Sequence, residues 1–158
     1  MASSELFLWR AFDPDLPHAK APDFDPLGGE GASLAPGRWH TPAPEKRLVY
    51  AAEHPALAFC ELLAHSPGMR RVALVGFRLK TPGVEEFSVD PALLKPEGIP
   101  ETQALGDRWY REGEHPVLKV PSAILPLAFN YVIKPQGVEL EVVERKVLPV
   151  DERLRRWR

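Results

Sequence analysis

Proline is the feature that most constrains the fold of this chain. Eighteen of the 158 residues are proline, and each of them lacks a backbone donor and is excluded from the interior of a helix. Prolines at this frequency divide the chain into short elements, so long helices and coiled coils are excluded. The sequence therefore predicts a single compact α+β domain, with a mainly antiparallel sheet and few short helices.

Length and charge narrow the class of protein further. A chain of 158 residues fits one domain, and 44% apolar with 27% charged residues is typical of a globular protein. Twenty Lys and Arg against 22 Asp and Glu give a net charge of -2. A general nucleic-acid binder would carry a basic excess, so we expect no direct contact with nucleic acid, although residues 155–158 form a basic tail.

Cysteine, histidine and the apolar runs indicate the compartment and leave a metal site possible only by convergence of distant residues. The single cysteine, Cys60, cannot close an internal disulfide or build a cysteine-based zinc site, and we expect it to be a buried small apolar residue. The five histidines lack the helical spacing of metal ligands. No positive charge precedes the first apolar stretch, and no apolar run approaches the ~20 residues of a membrane span. These features predict a cytoplasmic protein without a membrane segment.

The pattern of apolar residues and breakers predicts the order of elements. Residues 13–36 are rich in proline, glycine and aspartate and are interpreted as a long loop, which is usually functional or mobile in a compact domain. Residues 127–133 and 138–142 look like a hairpin joined by the turn at 134–137. Strands are expected at 6–10, 47–51, 71–79, 117–120, 127–133 and 138–142, and helices at 56–65, 91–94 and 101–111.

The helix at residues 56–65 carries the most informative single residue. Glu53 or His54 can cap it, and Pro55 suits its first turn. Its body is apolar nearly all round, which predicts a buried helix. Glu61 is its only acid, and a buried carboxylate without a partner costs several kcal/mol. Glu61 therefore faces a partner or a cleft, unless it lies on a thin solvent-facing stripe with His65.

Two arginines and two hydroxyl residues could join Glu61 in a site. Arg10 and Arg38 offer planar forks suited to phosphate or carboxylate, although a structural ion pair for Arg10 and a solvated loop charge for Arg38 are the alternatives. Tyr50 can present a flat ring to a ligand or belong to the core. Ser122 is either a positioned hydrogen-bond donor or an ordinary turn serine, and its neighbours exclude a Gly-x-Ser-x-Gly elbow.

Several segments, taken in order, resemble a known family. They are Trp9-Arg10, Gly37-Arg38-Trp39, the run from Val49 to Ala58, Glu61-Leu62, the stretch Val120-Pro121-Ser122-Ala123, the stretch Asn130-Tyr131-Val132-Ile133 and the closing Asp151-Glu152-Arg153-Leu154. Together they resemble a RES domain from about Phe7 to Leu154. Each piece alone is a weak signal, and their order and spacing make the resemblance specific.

The resemblance implies a fold, an activity and a partner. It implies an ADP-ribosyltransferase-like fold and a toxin of a bacterial toxin–antitoxin pair. Such toxins consume NAD by phosphorolysis, with NAD and inorganic phosphate as substrates and no cofactor, and their partner is an antitoxin with a helix-turn-helix domain. The alternatives are a mono-ADP-ribosyltransferase acting on a protein and a non-catalytic module that only binds the antitoxin.

The same resemblance assigns roles to six residues. Arg10, Glu61 and Ser122 match the arginine, glutamate and serine that name the family, and are expected to be catalytic. Arg38, Tyr50 and Asn130 are expected to bind substrate. The sequence thus predicts that one acid and two cations converge on a single hollow of dinucleotide size.

Overall fold

The computed structural model describes residues 3–155, in which seven strands form one sheet. The strand order across the sheet is β4-β5-β6-β2-β1-β3-β7, and every neighbouring pair is antiparallel except β4 with β5. The strands are β1 (Ser4–Phe12), β2 (Val49–Ala52), β3 (Arg71–Thr81), β4 (Val84–Glu86), β5 (Val117–Pro121), β6 (Phe129–Ile133) and β7 (Glu139–Pro149). The predicted α+β class with a mainly antiparallel sheet and few helices is confirmed, and the likeness to ADP-ribosyltransferases stays a prediction.

The helices are short, as the prolines dictate. Four of the described helices are α-helical: α1 (Gly31–Leu34), α2 (Pro55–His65), α3 (Ile99–Glu112) and α4 (Glu152–Arg155). Single 3-10 turns occupy Pro17–Lys20, Pro91–Leu94, Pro96–Gly98 and Pro135–Gly137. The predicted helices at 56–65, 91–94 and 101–111 are therefore present, the second as a 3-10 turn. None of the described helices has the length and apolar character needed to cross a membrane.

The predicted hairpin between residues 127–133 and 138–142 is wrong. Strand β6 pairs with β2 on one side and with β5 on the other, so both of its edges are occupied. Strand β7 instead crosses to the far edge of the sheet and pairs with β3. The turn at Pro135–Gly137 joins two strands that are consecutive in the chain but lie four places apart in the sheet.

Alternation along the strands gives the sheet two apolar faces. On the first face, Leu8, Val49 and Phe77 belong to one buried cluster, which Leu27 of the long loop also joins. On the second face, Trp39, Trp109 and Val132 belong to another. The helices α2 and α3 and the loop around Trp39 lie on this second face, and so do the candidate site residues carried by α2, β2 and β6.

The prediction that α2 is buried is wrong. Only Leu57 and Ala58 are buried, where they pack against Ala52 and the neighbouring strand. The opposite side of the helix is open to solvent, and Cys60, predicted to be buried, is exposed there. An apolar sequence predicts what a helix can bury, but whether a second element covers its outer side depends on distant parts of the chain.

Helix α3 turns one face to the core and leaves Ala104 exposed. The buried residues are Thr102, Gly106 and Trp109. This face is small and polar near its middle because it packs on the main chain of the loop that carries Arg38. The basic tail at 155–158 lies outside the described residues, except for Arg155 at the end of α4.

Candidate active site

The carboxylate of Glu61 is the centre of a hydrogen-bonded group formed by three elements. Its Oε1 accepts from the Ser122 hydroxyl at 2.5 Å and from the Asn130 side-chain amide at 2.7 Å. Helix α2 supplies the acid, the residue after β5 supplies the serine, and β6 supplies the asparagine. The expected partner for the single acid of the helix is therefore a pair of neutral donors, which bring together residues up to 69 positions apart.

Ser122 binds both the carboxylate of Glu61 and the loop that follows Ser122 in the chain. Its hydroxyl donates to Glu61 and accepts from the backbone amides of Ile124 and Leu125, at 3.1 and 3.0 Å. A hydroxyl has one donor and two lone pairs, so all three are used. Ser122 is fully buried. Ser122 therefore positions Glu61 and the loop, and it cannot donate a hydrogen bond to a ligand because its only hydroxyl hydrogen is bound to Glu61.

The second oxygen of Glu61 has a different environment. Among the described residues no hydrogen bond or ion pair is found for Glu61 Oε2, and Glu61 is half-buried. Asn130 next to it keeps its Oδ1 buried and unpartnered. The group thus leaves one carboxylate oxygen without a protein partner in the described residues, which suits a ligand that carries hydroxyl or amide donors.

Arg38 lies within the electrostatic reach of Glu61. Burial lowers the pKa of Arg38, and the charge of Glu61 opposes that shift. The guanidinium Nη1 donates to the main-chain carbonyls of Leu93 and Lys95, at 3.2 and 3.4 Å. No carboxylate forms an ion pair with Arg38 in the described part of the chain. The cation is held by the main chain, and its charge remains available to an anion.

Helix α3 fixes the loop that carries Arg38. The Thr102 hydroxyl donates to the Arg38 carbonyl at 2.7 Å, and the Gln103 side chain donates to the Gly37 carbonyl at 2.9 Å. Gly106 has no room for a side chain, because a Cβ there would overlap the carbonyl oxygen of Trp39. Sequence reasoning missed this role of α3. The glycine in the middle of an otherwise helical pattern was the available signal, since such a glycine often marks close packing.

Asp107 closes the same loop on its other side. Its carboxylate accepts from the backbone amide and the hydroxyl of Thr41, at 3.0 and 2.6 Å, and pairs with Lys46 at 2.8 Å. Burial alone would raise the pKa of Asp107, but the hydrogen bonds from Lys46 and Thr41 lower it below its ordinary value. The loop before β2 is therefore anchored to α3 at several points.

Tyr50 faces the same side of the sheet as this loop. Its hydroxyl accepts from the Trp39 backbone amide at 3.0 Å and contacts Nδ1 of His40 at 2.8 Å. Burial raises the pKa of Tyr50, so the phenol stays protonated. His40 is 3% exposed and was not among the predicted site residues. Its place directly after the Gly37-Arg38-Trp39 run is the only sequence signal that it carries.

Arg10 lies beside this group of residues. Its Nη1 donates to the main-chain carbonyl of Tyr50 at 3.2 Å. Strands β1 and β2 pair nearby through a single pair of residues, Trp9 and Ala52. Burial lowers the pKa of Arg10, and its Nε is buried without a partner. No contact between Arg10 and Glu61 is found in residues 3–155. The structural ion pair considered for Arg10 is absent from those residues too.

The structure thus links all six predicted residues in one connected region. Glu61, Ser122 and Asn130 share hydrogen bonds, the charge of Glu61 reaches Arg38, and Tyr50 links the Arg38 loop to Arg10. Two open clefts of about 490 and 570 Å³ have other linings: one near Lys80 and Gln136, the other between Leu93 and Arg111. A single hollow of dinucleotide size stays a prediction.

Comparisons with known proteins agree on one family. The family model described as RES domain matches residues 7–154. A protein named Toxin Res from Pseudomonas putida strain KT2440 is 33% identical over 126 residues, which cover 77% of this chain and 86% of that protein. Another Toxin Res, from Photorhabdus laumondii subsp. laumondii, is 29% identical over 140 residues, covering 80% of this chain and 86% of that protein.

Proposed function

This chain belongs to the RES domain family, and we propose that it is a toxin that cleaves the bond between nicotinamide and ribose in NAD, with inorganic phosphate as the acceptor. The observation that carries this proposal is the arrangement of Glu61. One carboxylate oxygen is held by Ser122 and Asn130, at 2.5 and 2.7 Å, and the other is left without a protein partner among the described residues.

The chemistry requires an anion at the ribose. Nicotinamide leaves as a neutral molecule from a positively charged pyridinium, so no acid is needed to protonate it. The bond between ribose C1 and the ring nitrogen breaks with its electron pair going to nitrogen, and positive charge develops on the ribose as in other glycosidic cleavages. A fixed carboxylate stabilises that charge because it needs no reorganisation during the reaction. In the proposal, Glu61 Oε2 lies against the ribose.

A phosphate oxygen then completes the reaction. It forms the new bond to ribose C1, which gives ADP-ribose 1''-phosphate and free nicotinamide, so atoms and charge balance. Arg38 is coupled to the charge of Glu61 and Arg10 bonds to the Tyr50 carbonyl, and neither arginine forms an ion pair with a carboxylate in the described residues. We assign to them the pyrophosphate or the incoming phosphate, which arginine binds through paired N–H groups. Tyr50 presents its ring to the nicotinamide or ribose.

The partner follows from the family and not from a contact in the structure. The two relatives carry the name Toxin Res, and a toxin requires an inhibitor in the cell that makes it. We propose an antitoxin with a helix-turn-helix domain as that inhibitor. NAD is an intracellular dinucleotide, so the proposed site of action is the cytoplasm.

The first experiment identifies the products. Purified protein is incubated with NAD in the presence and absence of inorganic phosphate. The products are then separated and identified by mass spectrometry. Release of nicotinamide with ADP-ribose 1''-phosphate, dependent on phosphate, is the expected result. Phosphate-independent transfer of ADP-ribose onto protein would instead identify a mono-ADP-ribosyltransferase. Unchanged NAD under both conditions would contradict an enzymatic function and favour a module that only binds.

The decisive variant is Glu61→Gln. Its Oε1 can still accept from Ser122 and Asn130, so the fold is retained, but the negative charge is lost. We expect NAD turnover to fall by about 10²–10³-fold or more, with thermal unfolding close to that of the unmodified protein. Glu97→Gln, an exposed acid on a 3-10 turn, is the matched control and should keep full turnover. Near-normal turnover by Glu61→Gln would remove Glu61 from the mechanism.

A further inference from the structure

Among residues 3–155, His40 is the residue whose side chain hydrogen-bonds to the Tyr50 hydroxyl. Its Nε2 lies 3.0 Å from the Ala32 carbonyl and 2.9 Å from the Ala35 carbonyl. Both are acceptors, so Nε2 carries the hydrogen of the neutral ring. The other ring nitrogen, Nδ1, then holds a lone pair and accepts the Tyr50 hydroxyl hydrogen at 2.8 Å.

This pairing decides what Tyr50 can offer to a ligand. The Tyr50 oxygen also accepts the backbone N–H of Trp39 at 3.0 Å. Its only hydrogen is committed to His40, and one of its two lone pairs is occupied. Tyr50 therefore presents its ring and one acceptor position, and it does not present a proton donor.

The rings of His40 and Tyr50 pack against each other and against Gly37. Their centroids lie 5.5 Å apart with 59° between the ring planes. A Cβ on Gly37 would lie 2.6 Å from the Tyr50 oxygen and 2.9 Å from the His40 ring, so both rings rest against the glycine that precedes Arg38. The backbone carbonyl of Tyr50 in turn accepts from Arg10. His40 is thus joined through Tyr50 to both arginines of the candidate site.

We propose that His40 is a positioning residue for substrate binding, which in its neutral form fixes the ring of Tyr50 and turns the Tyr50 hydroxyl into an acceptor. This inference rests on the proposed function of the site and adds a residue to it. His40 does not touch the substrate in this proposal. It acts through Tyr50, and its effect therefore falls on substrate affinity more than on the chemical step.

The arrangement holds only while His40 is neutral. Burial lowers the pKa of His40, and the charge of Lys46 lowers it further, while the Ala35 and Ala32 carbonyls and Asp107 oppose the shift. At low pH a proton on Nδ1 turns this atom into a donor. The Tyr50 hydroxyl can then no longer donate to Nδ1, and its O–H group must point in another direction. We therefore expect an acidic loss of substrate affinity that begins below the ordinary histidine pKa of about 6.5.

Two substitutions separate the functions of the two ring nitrogens. In His40→Asn, the amide oxygen lies near the former Nδ1 and can accept from Tyr50, while the bonds to the two carbonyls are lost. In His40→Gln, the amide nitrogen reaches the former Nε2 and keeps the carbonyls, while the acceptor for Tyr50 is lost. We expect His40→Gln to raise KM by roughly 2- to 12-fold, the effect of one hydrogen bond, with kcat little changed, and His40→Asn to stay near the unmodified KM.

The pH profile provides a readout that a purely structural role would not move. The unmodified protein should lose kcat/KM on the acid side as His40 is protonated, and His40→Asn should lack this loss because asparagine does not titrate. Equal KM values for both variants, together with an unchanged acid limb in His40→Asn, would overturn the proposal.

A spectroscopic experiment keeps this test apart from that of the proposed function. Tyrosine labelled at the ring carbon that bears the oxygen is followed by NMR from pH 7 down to the lowest pH at which the protein stays folded, with Tyr50→Phe to assign its resonance. We expect the Tyr50 resonance to shift as His40 titrates, and the shift to be absent in His40→Asn. A protein that shows the shift but leaves NAD intact would refute the proposed function alone. A Tyr50 resonance insensitive to pH in an NAD-consuming protein would refute the role of His40 alone.

Discussion

Replacing Ser122 with alanine removes a single oxygen atom that takes part in three hydrogen bonds. The hydroxyl donates to Glu61 Oε1 and accepts from the amides of Ile124 and Leu125. Alanine fits the same space, so no steric clash accompanies the change, and the effect measures the hydrogen bonds alone. The same substitution tests both the stability of the loop and the placement of the carboxylate.

The magnitude follows from the environment of each bond. The bond to Glu61 is charge-assisted and is worth about 1.5–3 kcal/mol. The two amides lose their acceptor, but Ile124 and Leu125 are 43% and 51% exposed, so water can reach this segment and the added cost is small, about 1 kcal/mol. Ser122→Ala should therefore lower the free energy of unfolding by about 2–4 kcal/mol. Glu61 keeps its bond from Asn130, so we expect NAD turnover to fall by about 10–10²-fold, the effect of a displaced group.

Urea unfolding and NAD turnover measure these two effects separately. Ser33→Ala is the matched control, because the Ser33 hydroxyl is exposed and donates only to the Glu30 carbonyl. It should change the unfolding free energy by no more than about 0.5 kcal/mol and leave turnover intact. A Ser122→Ala protein as stable as the unmodified one would refute the argument that the hydroxyl holds the acid and the loop together. A destabilised variant with full turnover would leave Ser122 a structural residue only.

Two further predictions concern helix α3. Gly106→Ala places a Cβ into the carbonyl of Trp39 and should cost about 1–3 kcal/mol or more in urea unfolding and lower NAD turnover, whereas Gly31→Ala, with nothing within 4 Å, should be neutral or stabilising by up to about 1 kcal/mol. Asp107→Asn breaks the pair with Lys46 and should cost about 3 kcal/mol at pH 7. Burial acts to raise the pKa of Asp107, but the hydrogen bonds from Lys46 and Thr41 together outweigh it and keep the pKa low. The stabilisation is therefore present above about pH 4 and is lost as the pH falls further. A difference in unfolding free energy that persists undiminished at pH 2 would contradict this account.

Local signals predicted the elements well because each depends on neighbours in sequence. Helix α2 begins at Pro55, and the His54 Nδ1 accepts from the Ala56 amide at 3.1 Å, as its capping pattern predicts. The exposure of Cys60 could not be predicted, since it depends on whether a distant element covers the outer side of the helix. The pairing of β7 with β3 instead of β6 was missed for the same reason.

The candidate site shows the same division between local and distant information. The resemblance to the family selected Glu61, Ser122 and Asn130, and the structure joins them by hydrogen bonds. It did not indicate that the Ser122 hydroxyl donates its hydrogen to Glu61, because that contact joins residues 61 positions apart. It assigned no role to His40, whose importance comes from a contact with Tyr50 that only the folded loop creates.

Opposite charges in this site are held apart by neutral groups, and this arrangement constrains the ligand. Glu61 is bound by a hydroxyl and an amide, Arg38 by two main-chain carbonyls, and Arg10 by another carbonyl. Within residues 3–155 none of the three forms an ion pair. Charges fixed by neutral dipoles keep their full attraction for a ligand and need little reorganisation when it binds. A ligand that supplies both a positive centre for Glu61 and phosphate oxygens for the arginines matches this arrangement, and NAD, the substrate that we propose, carries both groups in one molecule.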